Sequence, residues 1–367
     1  MDIYKELNIK TIINAQSWVT KLGGSIMPTE VLDAMNKASS AFVNVEELHE
    51  KCSEQIANLC DSESALITSG CASAIVLMSA AVICAKDESL IDEIPNLATR
   101  PEILIDSSQR NHYDSALEMT GARLIEYKNI DDIRKKVTKE SVGIAFIEAP
   151  FIGLGLGIDE TVKIANEFDL PVIVDASARI PPVDNLFKFI NAGASMVAYS
   201  GGKGIRGPQN TGFILGKKSY LDLAKRNLIC FSDSKAKIGR SMKVSKECLV
   251  GLVAALRLFL DIDQQEIWAK WKEKAKFIVD ELSYIEGLDV KLEEDRVNRE
   301  GPQAVLYFNA GWRGLNSNQI RSILESGDPP IYVGEGGYNN EINLAMTNIQ
   351  DGEEIIIVEK LKDILIK

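Results

Sequence analysis

Seven short apolar runs alternate with amphipathic segments along the first two thirds of the chain. The runs have four to seven residues, which suits strands, whereas segments such as DETVKIANEF and DNLFKFINAG carry apolar residues at helical spacing. Strands that are apolar throughout are typical of a sheet buried on both faces. The pattern therefore predicts an α/β fold with a mainly parallel seven-stranded sheet and flanking helices. The predicted strands are 65–68, 103–106, 123–127, 142–148, 171–176, 195–200 and 212–216.

Helical patterns border the predicted sheet on both sides. After an irregular N-terminal stretch, two helices are expected, the second with apolar residues from Val45 to Leu59 at helical spacing. From Ser245 the chain again has a helical pattern, and the strands and helices of a smaller α+β unit follow. The predicted organisation is an N-terminal arm and loop (1–27), a large α/β domain (28–245), a long connecting helix (246–284) and a small C-terminal α+β domain (285–367).

Composition and charge narrow the class of protein. The 367 residues carry a net charge of −12, which disfavours a protein whose main ligand is nucleic acid, because such binding rests on clustered Lys and Arg. The N-terminus lacks the apolar core of a signal peptide, and no run of about 18 apolar residues occurs elsewhere. We therefore expect a cytoplasmic protein that neither spans a membrane nor binds nucleic acid.

Cysteine and histidine usage argues against a zinc site and against a hydrolase. The six cysteines, Cys230 among them, form no CxxC pair, and His49 and His112 are the only histidines, so no zinc-ligand spacing appears. The cysteines are interpreted as reduced thiols. No GxSxG motif is present for a histidine to serve as a Ser/His/Asp base. No metal site is expected.

The stretch TSGCASA, 68–74, follows a predicted strand and opens a predicted helix. Small residues at a strand end let a ligand approach the backbone, and the free amides at the start of a helix attract an anion. The stretch is therefore a candidate phosphate site. Close packing of a small-residue helix against the sheet is the alternative interpretation.

Asp175 lies at the carboxyl end of a predicted strand and Lys203 just beyond another, and the fold rule for open parallel sheets places both at the ligand-binding edge. Helix capping is the alternative role for Asp175. Lys203 lies in a turn of glycines and hydroxyls, YSGGKGIRGPQNTG, where the backbone can approach a ligand. A phosphate site, a carboxylate and a lysine are the three groups that pyridoxal phosphate (PLP) requires.

Taken together, the motifs of the chain resemble those of a known enzyme family. The chain is similar to fold-type-I PLP enzymes of the group related to bacterial selenocysteine synthase, and most similar to the D-glucosaminate-6-phosphate ammonia-lyase-like branch. The C-terminal third resembles the family only in outline. The matching stretches are INAQSWVTKLGGSIMP, ITSGCASA, SSQRNHYDSALEMTGARLIE, VIVDASA, YSGGKGIRGPQNTG and GRSMKVSKE.

The resemblance implies specific roles for residues that bind the cofactor. Lys203 would carry PLP as a Schiff base, and Asp175 would pair with its pyridine nitrogen. His112 would stack on the ring, with Tyr113 as the competing candidate. The phosphate would be held by Ser69, Gly70 and Cys71, with Ser200 and Arg206 assisting.

The substrate-binding residues are less defined. Arg240 in GRSMKV is a candidate for the substrate carboxylate, because a guanidinium can fix it through two hydrogen bonds, and Arg179 is the alternative. The loop WVTKLGGS, with Thr20 and Ser25, is expected to close over the substrate, a plain turn being the alternative. Thr347 stands where the family often has an arginine, which weakens any assignment of a specific substrate.

The predicted activity is a PLP-dependent α,β-elimination that releases ammonia and a 2-oxo acid from a small hydroxylated or phosphorylated amino acid. The resemblance also allows a selenocysteine synthase-like transferase, a PLP aminotransferase or an aldolase. A non-catalytic member of the family is a further possibility. A homodimer or larger homo-oligomer is implied by the resemblance, since sites of this fold type usually lie between subunits.

Overall fold

The computed structural model describes residues 3–149, 152, 155–228, 236–294, 300–335 and 340–366. The chain divides into two compact units. The large unit comprises residues 27–261, and the small unit combines the N-terminal residues up to 26 with residues 262–367. The predicted N-terminal arm thus shares a unit with the C-terminal part of the chain.

The large unit is built on a seven-stranded sheet in the order β2-β8-β7-β6-β5-β3-β4. Only β8 runs antiparallel to its neighbours, β2 and β7, and the other four pairs are parallel. The predicted α/β fold with a mainly parallel seven-stranded sheet is therefore confirmed. The strands are β2 (Ser64–Thr68), β3 (Glu102–Asp106), β4 (Arg123–Tyr127), β5 (Ser141–Ile147), β6 (Val172–Asp175), β7 (Met196–Ser200) and β8 (Gly212–Gly216).

Helices cover both faces of this sheet. Along β6, Val172 and Val174 belong to one apolar core and Ile173 to the other, which is the alternation of a strand buried on both sides. The helices of the large unit are α2 (Thr29–Ser39), α3 (Val45–Leu59), α4 (Cys71–Lys86), α5 (Ser115–Glu118), α6 (Ile130–Lys136), α7 (Ile158–Asn166), α8 (Asn185–Asn191), α9 (Lys218–Leu228) and α10 (Lys246–Asp261).

Helix α3 protects the exposed edge of the sheet at β2. The ring nitrogen Nε2 of His49 lies 2.9 Å from the carbonyl oxygen of Ile67, and the Ser53 hydroxyl accepts from the N–H of Ile67 at 3.4 Å. Unpaired backbone groups on an edge strand invite pairing with another chain. Two side chains one helical turn apart therefore hydrogen-bond to the backbone groups of Ile67 at the edge of β2.

The small unit contains a five-stranded sheet in the order β1-β11-β12-β10-β9. One face packs on helices through an apolar core that includes Leu306, Ile342 and Leu344. The strands are β1 (Ile13–Ala15), β9 (Leu288–Glu293), β10 (Gln303–Phe308), β11 (Ile331–Glu335) and β12 (Glu341–Ala345), and the helices are α1 (Ile3–Glu6), α11 (Gln264–Leu282), α12 (Ser317–Glu325) and α13 (Glu353–Leu365).

Strand β1 corrects the expectation of an irregular N-terminal stretch. Residues 13–15 pair in parallel with β11, with Ile13 opposite Ile331. Three residues are too few to show the alternation of a strand, and the partner lies near the other end of the chain. Local pattern could not reveal this pairing.

The predicted single connecting helix over 246–284 is also corrected. It occurs as two helices, α10 ending at Asp261 and α11 beginning at Gln264. The side chain of Asp263 accepts hydrogen bonds from the N–H groups of Gln265 and Glu266, so it caps α11. An acceptor side chain that binds the first free amides favours a new helix start over continuation.

Within the described residues, no helix is long and apolar enough to cross a membrane. The same part of the chain contains five free cysteines. Cys230 lies outside the described residues. The described cysteines are thus thiols, and the fold is held together without a disulfide among them.

His49 should make stability depend on pH. Burial, the largest cause, lowers its pKa to about 4 from the usual 6.5. The unfolded chain therefore takes up this proton first as the pH falls, and the free energy of unfolding should decrease between pH 6.5 and 4 by up to about 3 kcal/mol from this group. Urea unfolding at a series of pH values measures the effect.

His49→Gln is the matched control, because its amide can still donate to the Ile67 carbonyl but does not titrate. We expect the variant to lose most of this pH dependence while keeping the contribution of the carboxyl groups. Identical pH dependence in the two proteins would contradict the assignment to His49.

Candidate active site

One edge of the large sheet collects the ends of several strands and the start of a helix. Strands β2, β3, β5, β6 and β7 all run in the same direction, so their carboxyl ends meet at this edge. Helix α4 begins there, directly after β2. In open parallel sheets ligands bind outside the carboxyl ends of the strands.

Asp175 is the last residue of β6 and is only 7% exposed. Its oxygen Oδ1 accepts from the N–H of Ser177 at 2.9 Å. The thiol of Cys71, the first residue of α4, donates to the same oxygen with a sulfur–oxygen distance of 3.6 Å. A buried carboxylate with two donors on one oxygen is held in a fixed orientation.

Gly70 and the start of α4 provide the expected anion site. Gly70 has φ of 132°, and a side chain there would meet no atom within 4 Å, so space is open beside it. The first turn of α4 carries no acidic residue, and no side chain caps its N-terminus. The first amides of a helix lack partners within the helix and carry the positive end of its dipole. This geometry suits a phosphate group.

Gly212 lets this helix start approach the sheet closely. The strand register places Gly212 between Thr68 of β2 and Ser200 of β7. A Cβ atom on Gly212 would lie 2.6 Å from the carbonyl carbon of Gly70 and 2.7 Å from the nitrogen of Cys71. A residue larger than glycine would therefore displace the start of α4.

Lys203 lies in a tight turn after β7. The N–H of Arg206 donates to the carbonyl of Lys203 at 2.9 Å, and Arg206 has a left-handed φ of 59°. A Cβ atom on Gly204 would lie 2.2 Å from the carbonyl oxygen of Ile180, in the segment that follows β6. The turn with Lys203 is thus packed against the chain that leaves Asp175.

The electrostatics of Cys71 bring the three predicted features together. Burial raises the pKa of its thiol well above the usual value, the charge of Asp175 raises it further, and the charge of Lys203 lowers it. Both charges therefore lie close enough to act on one sulfur atom. The structure brings Asp175, Lys203 and the start of α4 to one place, as the sequence predicted, and their roles toward a cofactor stay predictions.

The structure gives less information on the other residues predicted to contact the phosphate or the ring. The hydroxyl of Ser69 lies 3.0 Å from that of Ser73 in the first turn of α4. Burial lowers the pKa of the Arg206 guanidinium. His112 is exposed, in a turn that follows β3, two strands away from β6. The proposed stacking of His112, like that of its competitor Tyr113, stays a prediction.

The two candidate arginines differ in their surroundings. Arg179 is largely buried, and its guanidinium lies 2.9 Å from the carboxylate of Glu148. Arg240 is exposed, in a short 3-10 helix, Ile238–Met242. A substrate carboxylate would have to compete with Glu148 for Arg179. A carboxylate that binds Arg240 would displace no described ion pair.

Sequence reasoning missed Glu148, Ser177 and Gly212. Glu148 directly follows β5, next to Asp175 at the end of β6, and its N–H donates to the carbonyl of Asp175 at 2.9 Å. A polar residue at a strand end on this edge was the available signal. Ser177 contributes through its backbone and Gly212 through its missing side chain, and neither has a pattern in one sequence.

The loop with Thr20 and Ser25 lies in the small unit, where Asn348 fastens it. The amide nitrogen Nδ2 of Asn348 donates to the carbonyls of Ser17 and Gly24, each at 3.0 Å. Thr20 is exposed and Ser25 is half-buried. The two bonds close the loop at both ends, and its role over a substrate stays a prediction.

Comparison with known proteins finds relatives with three different named activities. A family model described as SelA, L-seryl-tRNA selenium transferase, matches residues 156–281. A D-glucosaminate-6-phosphate ammonia lyase of Salmonella typhimurium (strain 14028s / SGSC 2262) is 28% identical, over 99% of this chain and 98% of its own. A 5'-C-glycyluridine monooxygenase-decarboxylase of Streptomyces sp is 24% identical, over 99% of this chain and 92% of its own.

A solved structure is similar to this chain over its full length. The structure of a D-glucosaminate-6-phosphate ammonia-lyase superposes with a TM-score of 0.84 at 27% identity, and the match covers 100% of this chain and 98% of that one. The similarity thus extends over the C-terminal third, which resembles the family only in outline by sequence. These findings confirm the predicted resemblance.

Gly212→Ala tests the close approach of α4 to the sheet. Since the new Cβ would collide with backbone atoms of Gly70 and Cys71, we expect a loss of about 1–3 kcal/mol in the free energy of unfolding. Urea unfolding measures it. Gly157→Ala is the control, because its Cβ would meet nothing nearer than 3.7 Å, and a loss there as large as at Gly212 would contradict the steric account.

Asn348→Ala should loosen the loop of residues 17–24. Loss of two hydrogen bonds, worth about 1 kcal/mol each, should speed trypsin cleavage after the exposed Lys21 by roughly tenfold or more. Mass spectrometry of timed digests identifies the cut. Asn340→Ala is the control, because it removes a hydrogen bond from a side-chain amide to the Phe308 carbonyl elsewhere in the small unit. Equal cleavage rates in the three proteins would count against the fastening role.

Proposed function

We propose that this chain, a fold-type-I enzyme related to selenocysteine synthase and D-glucosaminate-6-phosphate ammonia-lyase, is a PLP-dependent lyase that releases ammonia from a phosphorylated amino sugar acid. The observation that carries the proposal is the juxtaposition, at one edge of the large sheet, of the buried Asp175 carboxylate, the turn that carries Lys203 and the open start of α4. Full-length similarity to an ammonia lyase supports the reaction class.

The residues present fit PLP. The cofactor has an anionic phosphate, a basic ring nitrogen and an aldehyde. The start of α4 suits the phosphate, because its first turn has no acid and Gly70 leaves open space. Asp175 offers a buried carboxylate to a protonated ring nitrogen, and Lys203 offers an amine at the same edge of the sheet. These residues therefore match the phosphate, the ring nitrogen and the aldehyde of the cofactor.

Bound PLP would supply an electron sink for negative charge that develops at the substrate Cα. Asp175 would keep the proton on the ring nitrogen, because its buried negative charge favours the protonated form. A charge pair at about 4 Å is worth about 4 kcal/mol at an effective dielectric constant of 20. Lys203 would hold the cofactor until a substrate amine replaces it.

Once released, the Lys203 amine would remove the proton from the substrate Cα. The hydroxyl on Cβ would then leave with a proton as water. Hydrolysis of the resulting unsaturated amine consumes that water and gives a 2-oxo acid and ammonia. The overall change converts a 2-amino-3-hydroxy acid into a 3-deoxy-2-oxo acid and ammonia with all atoms accounted for.

The substrate assignment rests on the relative and on charge. The printed name of the ammonia-lyase relative specifies a phosphorylated amino sugar acid. Such a substrate carries a carboxylate and a phosphate, which need cationic partners. We assign the carboxylate to Arg240, with Arg179 as the alternative because Glu148 already engages it. The roles of Thr20 and Ser25 toward a substrate stay predictions from the sequence.

A selenium transferase is the second candidate within the family. The family model of that name matches only residues 156–281, whereas the similarity to the ammonia lyase spans both chains almost completely. A transferase acting on tRNA would also have to approach a protein of net charge −12. Both observations favour the lyase. An aminotransferase or an aldolase would use the same cofactor-binding residues.

The full-length relative named as a monooxygenase-decarboxylase gives a reason to test more than one type of reaction. Residues that hold PLP do not by themselves select which bond breaks at the substrate Cα. Homo-oligomerisation and a cytoplasmic location remain predictions from the sequence.

Lys203→Ala tests the proposal. We expect the wild-type protein to bind PLP and, after borohydride reduction, to carry it covalently on the peptide that contains Lys203, as identified by mass spectrometry. Lys203→Ala should lose this label, while Lys217→Ala, an exposed lysine after β8, should keep it. Wild-type protein without a reducible label would rule out the proposed enzyme class.

The same preparations identify the reaction. Wild-type protein with a phosphorylated 2-amino-3-hydroxy sugar acid should release ammonia and an equal amount of 2-oxo acid, and Lys203→Ala should not. Conversion of the cofactor to its amine form would instead indicate an aminotransferase. Consumption of oxygen with release of carbon dioxide would indicate chemistry like that of the monooxygenase-decarboxylase relative.

A further inference from the structure

The two oxygens of Asp175 are used differently. Oδ1 accepts both described protein hydrogen bonds to this carboxylate, from the N–H of Ser177 and from the thiol of Cys71. The Ser177 bond closes a short turn within the chain that follows β6. The Cys71 bond reaches the carboxylate from a different element, the first residue of α4. One oxygen is therefore clamped from two directions.

The backbone of Cys71 is packed closely against the sheet. The nitrogen of Cys71 lies against Gly212, where a Cβ atom would come within 2.7 Å of it. The register of β2, β8 and β7 holds Gly212 in the centre of three strands. The start of α4, which carries the thiol, is therefore held close to the sheet, and the hydrogen bond to Asp175 orients the thiol.

The thiol is a donor rather than a second anion. Burial raises its pKa, and the neighbouring negative charge of Asp175 raises it further. A neutral thiol carries one proton to donate, and the Asp175 carboxylate is the described acceptor for it. The contact therefore places no like charge beside the carboxylate.

We infer that Cys71 is a positioning residue whose thiol anchors Oδ1 of Asp175, so that Oδ2 is the oxygen presented to the ring nitrogen of the cofactor. The inference rests on the proposed function. It changes the role expected for Cys71 from the sequence: its side chain serves the carboxylate, and only its backbone N–H remains for the phosphate.

The test compares Cys71→Ala with Cys71→Ser. The alanine variant removes the donor, and the serine variant keeps one in a similar volume. We expect Cys71→Ala to bind PLP about three- to tenfold more weakly, since a hydrogen bond to a charged acceptor is lost, and to shift the visible spectrum of the bound cofactor. Cys71→Ser should restore both properties to within about twofold. Titration of the cofactor-free protein measures the dissociation constant.

A double-mutant cycle shows whether Cys71 acts through Asp175. In the Asp175→Asn background, Cys71→Ala should have an effect no larger than about twofold, because the charged acceptor is already gone. Cys84→Ala, a buried thiol further along α4, is the control and should leave binding and spectrum unchanged. Thermal melting establishes that each variant is folded.

The outcomes separate the two proposals. Wild-type binding of PLP, with equal binding and spectra for the alanine and serine variants, would overturn the role of Cys71 and leave the lyase proposal intact. Equal effects of Cys71→Ala with and without Asp175→Asn would do the same. A wild-type protein that binds no PLP would overturn the proposed function and this inference with it.

Discussion

The site depends on keeping one negative charge, that of Asp175, inside the protein at the end of a buried strand. A carboxylate removed from water is costly unless hydrogen bonds or a cation compensate it. Here an N–H and a thiol donate hydrogen bonds to one oxygen of the carboxylate, and the described residues donate none to the other. The sheet supplies the position, because the carboxyl ends of its parallel strands meet at one edge. The neighbouring helix start and the turn with Lys203 then provide complementary charge around the same point.

The sequence alone predicts the large unit well. Its strands are short, apolar and separated by turn residues or amphipathic helices, so all seven predicted strands occur within one residue of their observed bounds. Because parallel strands end at a common edge, Asp175 and Lys203 could be placed together from the sequence. That inference needs only strand direction and chain order.

Features that depend on distant contacts could not be predicted in this way. Strand β1 takes its partner from the far end of the chain, and Gly212 matters because of what approaches it. The break between α10 and α11 has a local signal, Asp263 as a cap, but the continuous apolar pattern on both sides obscured it. The side-chain contact between Cys71 and Asp175 joins two elements whose spacing follows only from the packed fold.

Strand β1 has a consequence for how the chain matures during synthesis. Residues 13–15 leave the ribosome early, but β11, their hydrogen-bonding partner, is translated near the end. The small unit therefore cannot complete its sheet until β11 has emerged, whereas the large unit is contiguous and can fold as soon as it emerges. Until then, β1 lacks the strand with which it pairs in the folded protein.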